Sequence, residues 1–295
     1  MTLSPRTPLW SAARELLAGR VADFAGRWQK VRKGFDPEDI HDLRVSSRRL
    51  REGLALFEPL YPPPALDRAV RRVRKVTRLL GAMRNTDEAL VFFRELAAEP
   101  DVDAVEGLEL LVARYGQLRD AERARLEEGL RQLDFDRMRN VLERTVATPR
   151  LFVSSSVVDP FVHLADFAAE SLRARCAEVL ELVPAACSEE NVEAQHALRI
   201  AVKHWRYRLE LLSFLLGGGF GEMHGTVKGY QEVLGKMHDL DVFAGIVREA
   251  GLPSEAGYVI LNAIAERRRS FFARFAGMLA AHPPETIGEQ VRATL

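Results

Sequence analysis

Histidine, arginine and lysine recur at fixed intervals at two places in this chain, a combination suited to capturing anions. HDLRVSSRRLR begins at His41, and HALRIAVKHWR begins at His196, 155 residues later (196 − 41). His41, Arg44, Arg48 and Arg51 of the first stretch correspond to His196, Arg199, Lys203 and Arg206 of the second. Each residue turns an α-helix by roughly 100°, so intervals of three, four and three put all four side chains on one side. Guanidinium groups offer fixed forks of donors to phosphate oxygens, and lysine adds a mobile point charge. A cationic stripe repels itself unless it meets anions, so its repetition points to one anionic ligand held from two sides.

The first stripe, from His41 to Arg51, is about 15 Å long at 1.5 Å per residue, which suits a chain of phosphates better than a single phosphate. A third basic segment widens the surface: Arg71, Arg74, Lys75 and Arg78 share a helix face, and no acid interrupts the run from Arg68 to Arg84. Its counterpart is weaker, because Lys228 matches Arg74 whereas Gly229 and Glu232 match Lys75 and Arg78. Binding is therefore expected to be lopsided toward the first half. Each histidine stands beside three cations, which favours its neutral form in the free protein, and a bound polyanion favours the charged form. Tighter binding at pH 6 than at pH 8 is the expectation.

Other chemistry finds less support. No glycine-rich phosphate loop, serine elbow or metalloprotease motif is present, and neither a catalytic residue set nor a cofactor is expected. His41 and Asp42 point about 100° apart on a helix, and Ala197 follows His196, so a paired His-Asp metal site is not supported. Asp87, Asp239 and Asp241 could hold magnesium but read better as helix caps, leaving no metal site expected. Cys176 and Cys187 read as ordinary buried or half-buried thiols.

Composition agrees with a local charge device. Of 295 residues, 47% are hydrophobic and 28% charged, which excludes wholesale disorder. With 42 Lys and Arg balanced by 42 Asp and Glu, the general basic excess of a duplex-coating protein is missing. No apolar run approaches the roughly 20 residues that a membrane span needs, and MTLSPRTPLW lacks the charged start and apolar segment of a leader. A cytoplasmic protein without a membrane partner is expected.

Apolar residues recur at helical spacing almost throughout, which predicts an all-α fold. Leu43, Leu50, Leu54 and Phe57 form the inward face of the first basic helix, and Leu198, Val202, Trp205, Leu209, Leu212 and Leu216 that of the second. In the first half, helices are expected at about 9–33, 38–59 and 64–81, with a fourth opening near Thr86. The second half repeats the order, with helices at about 161–182 and 192–216. LLGAMRNTD from Leu79 returns as VLGKMHDLD from Val233, at a shift of 154 (235 − 81 for the paired glycines). Thr145 to Pro160 has little helical period and reads as the linker region, giving bundles at 1–148 and 159–295 joined by 149–158. Two related bundles about a pseudo-twofold axis, with a basic central cleft, are the expected architecture.

The pattern H-x-L-R-x-x-x-[RK]-x-x-R followed by L-G-x-x-x-x-x-D, present twice over roughly Leu9 to Ala281, resembles the CHAD domain, an α-helical domain named for its conserved histidines. The resemblance implies two four-helix bundles around a basic pore, binding of inorganic polyphosphate, and location at cytoplasmic polyphosphate granules. It implies as ligands His41, Arg44, Arg48, Arg51, His196, Arg199, Lys203 and Arg206, with Arg71, Arg74, Arg78 and Lys228 as a second tier. Arg49 and His204 lie farther around their helices. The alternatives are a nucleic-acid binder, for which Tyr207 is the one aromatic on the stripe side, and a metal-dependent phosphate-ester hydrolase.

Overall fold

Proline and short polar side chains start the two basic helices. Asp36 accepts a hydrogen bond from the Glu38 amide ahead of Pro37, and Asn191 accepts one from the Ala194 amide, each satisfying a donor that the first helical turn leaves open. In the computed structural model, which describes residues 3–152 and 158–295, every regular element is helical. The first half holds α1 (Leu9–Gly34), α2 (Pro37–Leu56), α3 (Pro63–Ala97), α4 (Val105–Arg131) and α5 (Phe135–Ala147). The second holds α6 (Leu164–Ala186), α7 (Val192–Leu211), α8 (Phe220–Glu249), α9 (Ser254–Ala281) and α10 (Pro284–Thr294). Short 3-10 turns follow α2 and α7.

Among the described residues each half thus carries five α-helices instead of four. In the first half, the sequence expectation of a break near Gly81 fails because Leu80, Met83, Leu90 and Phe93 keep the buried register across it. One interior glycine costs a helix only about 1 kcal/mol. The consequence is a single long α3, and an equally unbroken α8. Asp87, Asp239 and Asp241 therefore lie inside helices, and the expectation that they are caps is corrected. Asp87 instead receives a hydrogen bond from Arg119 Nε at 2.6 Å, and Asp241 from Arg268 Nε at 2.5 Å. Each ion pair ties a long helix to the helix that follows it.

Packing follows the same plan on both sides. Within each half, the first helix packs on the second, the second on the third and the third on the fourth, while the short fifth helix covers the first and third. Between halves, α1 meets α6, α2 meets α7 and α4 meets α9. Pro8 and His163, 155 positions apart (163 − 8), form an antiparallel backbone bridge. The larger hydrophobic core runs through both halves, from Trp28 and Leu50 to Trp205 and Leu209, and the ten inward-facing residues expected from the two basic helices are all buried. A smaller core gathers Phe93, Leu111, Phe243 and Ile260 at the far ends of the long helices. Cys176 is buried, but Cys187 is exposed, against expectation, because the chain has already left α6 there. Of the expected linker, residues 145–147 still belong to α5, and 153–157 lie outside the described residues.

Candidate functional site

The apolar faces of α2 and α7 dictate where their cations go. With Leu43, Leu50 and Leu54 buried on α2, and Leu198, Val202 and Trp205 buried on α7, side chains about 100–140° around each helix stand at the edge of the core. Because α2 packs against α7, the two edges meet. Arg48 lies within electrostatic range of Arg44 and Arg51 on its own helix and of Arg199 and Lys203 on the other. Arg74 on α3 joins the group through Arg51. Arg48, Arg51, Arg74 and Lys203 line one cavity of about 450 Å³, and His41, Arg44 and Arg84 line a neighbouring one of about 280 Å³.

These charges are partly withdrawn from water and crowd one another. Burial, reinforced by Arg48, pulls the Arg44 guanidinium down to about 10. Lys203 falls to about 8, again through burial first and then through Arg48, Arg199 and Arg51. Arg51 and Arg199 shift down for the same leading reason. Among the described residues, none of Arg44, Arg48, Arg51, Arg74, Arg199 and Lys203 has a carboxylate within 4.0 Å. Of the nearby carboxylates, Glu52 and Glu210 are engaged in ion pairs, whereas Asp239 acts on Arg199 from a distance and Glu58 and Asp67 line the larger cavity. Glu52, buried on α2, accepts hydrogen bonds from Arg208 Nε at 3.0 Å and His204 Nδ1 at 2.5 Å. Glu210 binds Arg49 at 2.8 Å, His224 at 3.1 Å and Arg206 at 3.4 Å. One set of cations locks α2 to its neighbours through direct ion pairs, while the other is largely half-buried with carboxylates acting on it only from beyond 4.0 Å.

The residues expected from sequence sort accordingly. Arg44, Arg48, Arg51, Arg74, Arg199 and Lys203 come together. Arg206 does not join them: it turns to Glu210 and lies over the Tyr207 ring at 5.1 Å. Lys228 is exposed and pairs with Glu232 at 3.4 Å. His41 is exposed beside Arg44, whereas His196 sits ring to ring with His238, their Nδ1 atoms 3.1 Å apart. Burial, with Arg199 and His196 nearby, pushes His238 down to about 4. Arg71 and Arg78 stand exposed on the outer side of α3. Tyr207 is buried, with Arg206 over its ring.

Sequence reasoning passed over Glu88, and it placed Arg84 only in the basic run and Asp239 only among the caps; all three border the cluster. Arg84 pairs with Glu88 at 2.8 Å. Asp239 is raised by burial and by Glu88, with Arg199 opposing. The shift of 154 aligns Arg84 with His238 (84 + 154), and that pairing of a cation with a titratable ring was the available signal. Among the described residues, no group of three or more His, Cys, Asp or Glu is placed to hold a metal ion, and no helix is long and apolar enough to cross a membrane. The arrangement can therefore receive a flexible, multiply charged anion by charge and hydrogen bonding.

Known proteins supply a context for this geometry. The family model of the CHAD domain matches residues 15–248. No curated protein matches the chain. Among solved structures, the CHAD domain from the plant Ricinus communis is 24% identical with a TM-score of 0.66, the match covering 99% of this chain and 94% of that one. PptA from Streptomyces chartreusis is 15% identical with a TM-score of 0.68, over 97% of this chain and 100% of that one. At such identities the likeness concerns the fold.

Proposed function

The chain belongs to the CHAD domain family, and from that footing and its unpaired cation cluster we propose that it is a non-catalytic receptor for inorganic polyphosphate. In this reading Arg44, Arg48, Arg51, Arg199 and Lys203 hold the polyanion, and Arg74 extends the grip. The observation that carries it is the crowding of half-buried like charges from α2 and α7 with no carboxylate within 4.0 Å of them among the described residues. Such crowding costs stability until an anion arrives, and a chain of phosphates satisfies several guanidinium groups at once. Two related halves about a pseudo-twofold axis fit the same reading, supported by the contacts between counterpart helices. Cytoplasmic residence at polyphosphate granules belongs to it as well.

Calorimetric titration with long-chain polyphosphate tests the proposal. Saturable binding that weakens steeply with salt is expected, and heats no different from dilution would overturn it. Sustained phosphate release in the presence of magnesium would overturn the non-catalytic part.

The pH dependence has a definite sign. A polyanion binds the charged form of Lys203, which in the free protein is lost as pH rises through about 8. Affinity should therefore fall between pH 7 and pH 9, with protons taken up on binding in that interval, and Lys203→Met should flatten the fall. A profile that is level or rising in the wild type contradicts this assignment.

A further inference from the structure

We propose that the outer side of α3 is a second polyphosphate track, continuous with the cleft, which carries a long chain out of the cluster in one direction; this rests on the polyphosphate reading above. Six cations fan around this helix. Taking Arg74 as the origin, Arg78, Arg71, Lys75, Arg68 and Arg72 follow at roughly 40°, 60°, 100°, 120° and 160°. Arg74 lines the cleft beside Arg51. At the other edge of the fan, Arg68, Arg71, Arg72 and Lys75 border a depression of about 270 Å³ with Leu133 and Met138. The fan spans Arg68 to Arg78, about 15 Å along the helix axis. Five of the six are exposed and Arg72 is half-buried.

None of the six forms an ion pair or hydrogen bond among the described residues. Asp67, exposed at the start of the same face, borders the fan without pairing to it, whereas on the neighbouring α4 and α5 carboxylates hold the arginines. Glu127 holds Arg123 and Arg131, Glu122 holds Arg125, and Asp136 holds Arg139. The fan also lacks a counterpart. At the shift of 154 the same positions on α8 carry Glu222, Gly225, Thr226, Lys228, Gly229 and Glu232, and Lys228 pairs with Glu232. Six positive charges on α3 face one positive and two negative on α8. A polyanion leaving the cleft therefore meets an attractive surface over α3 and a repulsive one over α8, which fixes its direction of exit.

The track predicts discrimination by chain length. Tripolyphosphate is too short to occupy cleft and track together, whereas a long chain bridges both and gains from the high effective concentration of its own continuation. The test compares the variant R68Q/R72Q/K75Q with a charge-matched control, R123Q/R125Q/R131Q on α4, by titration with each ligand. Long-chain affinity should fall at least about tenfold in the α3 variant, with a shallower salt dependence, as expected when about three phosphate contacts are lost. Tripolyphosphate affinity should stay unchanged, and the α4 control should bind both ligands as the wild type does. Equal loss in both variants, equal loss for both ligands, or no loss in the α3 variant would overturn the track. Failure of the wild type to bind long-chain polyphosphate at all would instead overturn the reading on which it rests.

Discussion

Replacing Arg44 and Arg199 together by alanine should weaken polyphosphate binding by at least about a hundredfold while leaving the fold intact. Each is a half-buried cation without a carboxylate partner, so each has hydrogen bonds to offer an anion. A hydrogen bond to a charged group contributes about 1.5–3 kcal/mol, and the loss of two corresponds to roughly two to four powers of ten in affinity. The double variant should also show a shallower dependence of log affinity on log salt, because fewer counter-ions are displaced. Stability should change little, since the repulsion by Arg48 that is relieved is offset by the lost attraction of Asp239 for Arg199 and of Glu88 for both arginines. Parallel calorimetric titration and thermal melts read these two effects separately. Unchanged affinity would sink the site assignment, and a collapsed melt would mean that these side chains hold the helices together instead.

The separation between cations with and without an ion-pair partner was only half visible in the sequence. Helical periodicity announced the inward faces of α2 and α7, because burial of Leu43, Leu50, Trp205 and their neighbours obeys the 3.6-residue period. It also announced that the stripes flank that face. It could not announce which arginines already have partners, since that depends on carboxylates brought in by folding. Arg206 occupies the position equivalent to Arg51, yet Glu210 lies one turn further along its own helix and claims it. At the corresponding place Arg51 has Ala55, which claims nothing. The Asp of each L-G-x-x-x-x-x-D motif misled for a similar reason. Its partners Arg119 and Arg268 lie on the next helix, 32 and 27 residues away, and no local pattern connects them. Gly81 looked like a breaker because its cost is local, whereas the continuous apolar register that outweighs it extends over the whole length of α3.

Glu52 shows how far the locking set matters, and its removal should have the largest effect on stability. Its side chain is only 3% exposed, and it accepts from Arg208, which also donates to Ser171 Oγ at 2.7 Å, and from His204. The carboxylate thus ties α2 to α7 and, through Arg208, to α6. Breaking a buried pair by deleting one partner costs about 3–5 kcal/mol, because the remaining charge stays in a poorly hydrated place. Glu52→Ala should destabilise by that amount in denaturant melts at pH 7. Burial raises the Glu52 carboxyl, but His204 and Arg208 together outweigh this and leave it below its ordinary value of 4.5. Its contribution is therefore fully present above pH 4.5 and lost as pH falls through the depressed folded value. The difference between wild type and Glu52→Ala should accordingly narrow in acid, whereas a gap of the same size at pH 3 and pH 7, or a loss under about 1 kcal/mol at pH 7, contradicts the role. Glu52 also favours the charged form of Lys203. The milder Glu52→Gln should therefore move the alkaline fall in polyphosphate affinity to lower pH, so that the same carboxylate that locks the helices also keeps a binding cation charged.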